Sequence, residues 1–447
     1  MLARGGAGGA GGLAAHLSRM SAARPLGFGS AVALVVASMI GTGVFTTSGF
    51  LLGDLGSADT VLAAWAVGGV IAALGALSYG ALARRIPESG GEYLFLSRTL
   101  HPAAGFLAGW ISLLVGFSAP MAAAAMAFGE YTKTWLPGWN PRGTGTALLV
   151  GLSVLHAVRV APGAWVQNVA VALKAGLIAA FIGLACGRLP AAGVVEAVAG
   201  AGQGMWSPAF AVSLVWVSFS YAGWNAAIYV GGEIRDAERN LPRALLVGAL
   251  LVTALYLGLN FVFLRAVPAA ELVGKLEVGR IAAQALGGPV WAEAVTALVA
   301  LGLLTSVSAM VMAGPRVYAR MAGDGYLPAW LGCAEGAPRA AIGFQLAVAL
   351  VMLWTATYER LLTYIGFTLS LSTAATVVGL MRLRRREGAS LRVPGWPWVP
   401  GLFVASVLWM AVFSVARRPV ESVLGLATLG VGWLAWRVGW RGKKLQG

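Results

Sequence analysis

A chain of 447 residues with 58% hydrophobic and only 11% charged side chains is too apolar to be a string of water-soluble domains. Its mean hydropathy of +0.78 makes the bilayer the solvent it suits. The net charge of +15 would fit a nucleic-acid partner only if the basic residues formed one patch, and they are spread along the chain between apolar stretches.

Crossing a hydrocarbon core of about 30 Å takes about 20 predominantly apolar residues in a helix. In chain order such stretches are predicted at 28–52, 60–83, 101–130, 145–161, 165–188, 209–231, 242–266, 289–314, 339–356, 360–381, 398–416 and 420–438, which makes twelve. The first 24 residues are Gly- and Ala-rich with scattered Arg and read as a disordered cytoplasmic tail. They lack the compact apolar core of a cleavable signal peptide, so the first span is expected to act as the signal anchor. Gly6 to Gly11 formally matches GxGxxG, but no strand precedes it and no amphipathic helix follows, so it predicts no nucleotide site.

With both termini placed in the cytoplasm, 22 of the 32 Lys and Arg fall inside, 9 fall outside and Lys174 lies within a span. This is the positive-inside asymmetry, and Arg382, Arg384, Arg385 and Arg386 read as part of it. The bilayer is therefore the expected partner, and nucleic acid is not. Cys186 and Cys333 fall on opposite sides of the membrane and cannot pair. His16, His101 and His156 have no Cys or acidic partner at ligand spacing, so neither a metal nor a cofactor is expected. No nucleophile elbow, HExxH or Walker loop appears, so the chain is not expected to be an enzyme.

Irregular backbone at mid-membrane depth is tolerated only beside protein or a water-filled cavity, so glycine clusters in mid-span are informative. The first span carries Ser38-Met39-Ile40-Gly41-Thr42-Gly43-Val44-Phe45, and the sixth carries Phe219-Ser220-Tyr221-Ala222-Gly223-Trp224-Asn225. Gly105 to Gly109 in the third span reads instead as close helix packing. The two interruptions are five spans apart, the spacing of two five-helix repeats of opposite topology that each begin with a discontinuous helix. At each break a half-helix N-terminus offers free N–H groups, and the unwound segment offers carbonyls. Such a site holds a carboxylate and an ammonium together, as a zwitterionic α-amino acid presents them. Lys174 lies about 13 Å along the fifth span from Trp165 at 1.5 Å per residue. Insertion of a central lysine costs about 2.5 to 3.5 kcal/mol, which calls for a partner or a function unless its stem snorkels to the interface.

At these residues the sequence resembles the amino acid/polyamine/organocation superfamily, most closely the L-type amino acid transporters and their bacterial relatives. Four motifs carry the resemblance: Ile40 to Phe45; Phe219 to Asn225 with Glu233 and Asn240-Leu241-Pro242-Arg243; Asn168 with Lys174; and Gly314 to Tyr318 with Asp324 to Pro328. The resemblance implies an all-α integral membrane fold of 12 transmembrane helices, a LeuT-like five-plus-five inverted repeat with discontinuous helices 1 and 6. Residues 25–188 would form the first repeat, 209–386 the second, and 398–447 helices 11 and 12 with a cytoplasmic C-terminus.

By the same resemblance Gly41, Thr42 and Gly43 donate to the substrate carboxylate, and carbonyls of Ile40, Phe219 and Ala222 accept from its ammonium. Phe219 also closes over the substrate, and Asn225 braces the unwound segment that holds Gly223. Where the family often has Glu-Glu and then Asn-Pro after the sixth helix, this chain has Gly232-Glu233 and Asp236-Ala237. Sodium-independent members carry a lysine at the place of a sodium ion, which makes Lys174 the coupling residue, with Ser306 and Ser308 as neighbours. The implied function is a secondary active transporter of amino acids, neutral ones by the identifiable pocket side chains, in the inner or plasma membrane. Proton coupling and amino acid exchange both stay open. A transport-dead sensor on the same fold would carry an added signalling domain, which the short loops and tail do not offer, and a channel would need a filter repeat.

Overall fold

The computed structural model describes residues 26–158, 164–190, 204–332 and 337–444. The expected tail 1–24, Cys333 and the Asn168 side chain lie outside what is described. Regular structure among the described residues is helical, apart from one parallel bridge between Leu26 and Ile234. The first helix is broken into α1 (Phe28–Met39) and α2 (Gly43–Leu55), bent by 41°. There follow α3 (Ala58–Arg85), a short α4 (Gly91–Thr99), α5 (Pro102–Thr132), α6 (Pro141–Val158) and α7 (Ala164–Cys186). The second half contains α8 (Pro208–Tyr221), a 3-10 segment (Ala226–Glu233), α9 (Ala237–Ala266), α10 (Val278–Gly323), α11 (Arg339–Thr355), α12 (Tyr358–Glu387), α13 (Trp398–Arg417) and α14 (Pro419–Lys444).

A helix thus stands at each predicted stretch, but not each is a membrane crossing by length and composition. Among the described residues seven helices meet that test, and the bent α1–α2 pair makes up to eight. α11 covers only Arg339–Thr355, and α8 stops at Tyr221. α10 starts at Val278, ahead of the predicted 289, and is kinked at Gly288, whose φ of 71° is not helical, so a separate helical leg precedes the spanning part.

Local sequence sets the helix ends. Ser57 caps α3 by accepting from the Thr60 N–H at 3.1 Å, Asp59 sits in its first turn, and Arg84 and Arg85 sit in its last, each charge matching the helix dipole. Ser207 caps α8 in the same way, with Pro208 in the first turn, where its missing N–H costs nothing.

The core lies where α9 runs along α3 and α1, and where α8 is enclosed by α2, α3, α12 and α13. Buried tyrosines stitch it, and their hydroxyls find acceptors as burial demands: Tyr131 donates to Phe45 O at 2.8 Å, Tyr221 to Trp65 O at 3.0 Å and Tyr318 to Leu113 O at 3.1 Å. The outer faces expose Val70, Val154, Leu184, Leu250, Val351, Val412 and Leu434, side chains that suit lipid. Ion pairs cluster at the two ends of the bundle. One end, which holds Leu26, has Arg85 on Glu387 at 3.1 Å; the opposite end has Arg265 on Asp59 and Lys133 on Glu277, each at 2.9 Å.

Candidate substrate site

The two helix breaks meet in the middle of the bundle, and glycine makes the meeting possible. α1 ends at Met39, the Gly41 N–H turns back to Met39 O at 2.8 Å, and α2 restarts at Gly43. Apart from the Phe45 N–H, which donates to Thr42 O at 3.1 Å, the first-turn amides of α2 have no intrahelical acceptors, so its N-terminus is an anion site in waiting. α8 ends at Tyr221, Gly223 adopts a φ of +103°, and the 3-10 segment resumes at Ala226. Within that break the Ala222 N–H donates to Phe219 O at 3.0 Å and the Ala226 N–H to Gly223 O at 2.9 Å.

Contact between the breaks is reciprocal. A Cβ on Gly43 would lie 2.6 Å from Ser220 Cα, and one on Gly223 would lie 2.6 Å from Ser38 O. Thr47 Oγ1 and Ser220 Oγ are hydrogen-bonded at 3.1 Å. From α9 the Tyr256 hydroxyl donates to Met39 O at 2.5 Å and to Ser220 O at 3.0 Å, so one buried donor serves the carbonyl ends of both broken helices. Tyr256→Phe is expected to orphan Ser220 O, at about 1–3 kcal/mol, while Met39 O keeps the Gly41 N–H. A melting temperature equal to wild type, measured in detergent, would refute that accounting.

Between the breaks and the end opposite Leu26 lies an aromatic layer. Phe50 stacks on Tyr358 with centroids 6.0 Å apart and meets Trp216 edge-on at 6.3 Å, while Trp216 donates to Thr363 Oγ1 at 2.8 Å. Phe219 is buried just below, on the break itself.

Lys174 reaches the first break. Its Nζ donates to Ile40 O at 2.7 Å, placing an ammonium at the carbonyl end of α1, where the helix dipole is negative. The stem packs on α10, with Lys174 Cδ 3.7 Å from where a Gly302 Cβ would stand. Ser306 Oγ lies 3.6 Å from a Cβ built on Gly41, so it faces the break as expected. Ser308 turns away and bonds His156 Nε2 at 2.7 Å. Ile40 O, which the resemblance gave to a substrate ammonium, is thus engaged by the protein's own ammonium, although a carbonyl keeps a second lone pair.

Asn225 lies on the Leu26 side of the second break and donates from Nδ2 to Glu92 Oε1 at 2.9 Å. Sequence reading passed over Glu92, since it stands in a polar loop among residues taken as topology signals. The double glycine before it was the available sign. Gly90 and Gly91 have φ of +145° and +59°, and a Cβ on Gly91 would collide with the Tyr229 ring, which no ordinary loop requires. Beside it the chain entering α1 pairs with the end of the 3-10 segment, Leu26 N–H to Glu233 O at 3.1 Å and Arg235 N–H to Leu26 O at 2.9 Å.

Two helix breaks packed against each other, in a bundle whose described residues are helical and whose outer walls are apolar, fit a membrane transporter of the amino acid/polyamine/organocation class, and the chain belongs to the amino acid permease family, which it matches over residues 26–434. It is a transporter and not an enzyme. Among its relatives are the large neutral amino acids transporter small subunit 2 of Rattus norvegicus, 29% identical over 92% of this chain and 79% of that protein, and the serine/threonine exchanger SteT of Bacillus subtilis, 27% identical over 91% and 96%. The Asc-type amino acid transporter 1 of Mus musculus is 28% identical over 95% of this chain and 83% of its own length.

Proposed function

We propose that the chain moves neutral amino acids across a plasma membrane by alternating access, without sodium, from one site between the two helix breaks. In this reading twelve spans form two inverted repeats, 25–188 and 209–386, followed by 398–447, and both termini are cytoplasmic. Amides of Thr42 and Gly43, with Gly41 beside them, receive the substrate carboxylate. Carbonyls of Phe219, Ala222 and Ile40 receive its ammonium; Phe219 covers it, and Asn225 holds the unwound Gly223 segment in place.

The observation that carries this reading is Lys174 on Ile40 O at 2.7 Å, between the first break and α10. A fixed ammonium there supplies the charge that a bound cation would supply, which supports transport without sodium. The relatives' names support the choice of neutral substrates, as large neutral amino acids in one case and serine and threonine in another.

The test is uptake of radiolabelled serine and leucine into proteoliposomes, with and without unlabelled amino acid inside. Uptake is expected to be unchanged when choline replaces sodium and to be competed by neutral amino acids much better than by arginine. A sodium requirement, or arginine as the tightest competitor, would overturn the assignment. Binding without uptake would identify a sensor on the transporter fold. Acceleration by internal substrate would mark exchange, and acceleration by an inward proton gradient would mark symport.

A further inference from the structure

Glu92 stands on α4, between the spans α3 and α5, yet it is only 5% exposed. Hydrogen-bonding groups from three other elements converge on its carboxyl group. The Tyr79 hydroxyl of α3 at 2.7 Å and the Asn225 amide at 2.9 Å both meet Oε1, and the Ser372 hydroxyl of α12 lies 2.7 Å from Oε2. Among the described residues no Lys or Arg pairs with it, and Arg98, on the same helix, is paired with Glu88. The titratable groups that act on it from packed elements are Tyr79 and Tyr229, both neutral near pH 7, and α12 presents the hydroxyls of Ser372 and Thr376.

This arrangement suits a neutral acid. Oε1 then is a carbonyl oxygen whose two lone pairs take Tyr79 and Asn225, and Oε2 is a hydroxyl that donates to Ser372 Oγ. As a carboxylate, the same group is a buried charge with no counter-charge. Desolvation accordingly pushes the Glu92 carboxyl up, while its hydrogen bonds to Tyr79, Ser372 and Asn225 act in the opposite sense.

We propose that Glu92 is a proton-binding latch, which keeps the Leu26 end of the pathway shut as the neutral acid and gives its proton to cytoplasmic water when the segment bearing Asn225 swings away. The latch rests on the transport reading and on the orientation proposed above. Linkage fixes its sign. The shut state holds the proton more tightly than the hydrated open state, so cytoplasmic acid stabilises the shut state, and that stabilisation is lost as pH rises through the shut-state value. Closing takes the proton back from the same side, so Glu92 regulates opening and moves no net proton across the membrane.

Glu92→Gln separates charge from contact. Its Oε1 can accept from Tyr79 and Asn225 and its Nε2 can donate to Ser372 Oγ, so it copies the neutral acid and cannot ionise. The experiment is exchange of radiolabelled serine in uniformly oriented proteoliposomes, with external pH fixed and internal pH varied. Wild-type exchange should speed up as internal pH rises. Glu92→Gln should be slow at every internal pH, matching wild type at its most acidic, with external KM unchanged, and Glu92→Asp should regain a pH response. A wild type indifferent to internal pH, a Glu92→Gln variant that keeps the wild-type response, or one slower than acid wild type at all pH values would each overturn the latch. A second readout needs no variant: hydrogen exchange of residues 224–233 in nanodiscs, corrected for intrinsic rates, should show more protection at acid pH, and a flat or reversed profile would refute it. If no amino acid is transported at all, the transport reading fails, while the exchange profile still decides whether Glu92 binds a proton on closure.

Discussion

Gly43→Ala is expected to weaken amino acid binding by about tenfold to a hundredfold, while Gly41→Ala spares the fold and most of the affinity. The two glycines look equivalent in sequence, but their surroundings differ. A Cβ on Gly43 would stand 2.3 Å from Ser220 Oγ, 2.5 Å from Ser220 Cβ and 2.6 Å from Ser220 Cα. Oγ could rotate away, whereas Cβ and Cα move only with the backbone of α8, so the two broken helices would have to separate. Separation also strains the Thr47 to Ser220 bond and the Tyr256 bond to Ser220 O. Overpacking of this kind typically costs about 1–3 kcal/mol, and about 1.4 kcal/mol is tenfold in affinity. Gly41 has room: its nearest neighbours are Ser306 Oγ at 3.6 Å and Met39 O at 3.9 Å. The larger Gly41→Val carries its branches on towards Ser306 and is expected to lose binding with insertion intact. Scintillation-proximity binding of labelled substrate, with gel filtration as the check on folding, distinguishes these outcomes. Wild-type affinity in Gly43→Ala would remove the break from the binding site.

Lys174→Ala is expected to depress transport by about tenfold or more and to leave measurable substrate binding. The substitution removes the ammonium from the carbonyl end of α1 and leaves Ile40 O without its partner, a penalty of about 1–3 kcal/mol for a buried acceptor. Removing the lysine also removes an insertion cost of about 2.5 to 3.5 kcal/mol, so the fold need not suffer in proportion. If the ammonium cycles its proton during transport, wild-type uptake rises with an inward proton gradient and the alanine variant shows no such rise. Uptake against external pH, with and without an ionophore, provides the measurement. Transport at the wild-type rate in Lys174→Ala would make the residue a passenger whose stem merely lies along α10.

The helix breaks were visible in the sequence because glycine and small polar residues interrupt an otherwise apolar run, and membranes tolerate that only for a reason. The unwound stretch Ile40 to Thr42 and the turn at Ala222 to Asn225 stand where the residues put them. The limits of the second span were visible in the same way; 60–83 was expected and Ala58–Arg85 is found. Partners across the bundle were not visible. Ser306 and Ser308 are two residues apart on one helix and so point to different neighbours, which no pattern along the chain reveals. Glu92 was hidden for a related reason: a carboxyl in a polar loop reads as solvated, and only the convergence of Tyr79, Asn225 and Ser372 from distant parts of the chain makes it a buried group.

The reciprocal fit of Gly43 on Ser220 and Gly223 on Ser38 also has a mechanical meaning. Two bodies pinned at two points turn only about the line through the pins, and the Tyr256 hydroxyl, gripping Met39 O and Ser220 O together, adds a third tether. The centres of the two broken helices therefore travel as a single rigid piece, and their outer halves supply the freedom. Distances between spin labels placed near the pins, one on each broken helix, should hold constant through the transport cycle, while distances from either label to α5 or α10 change.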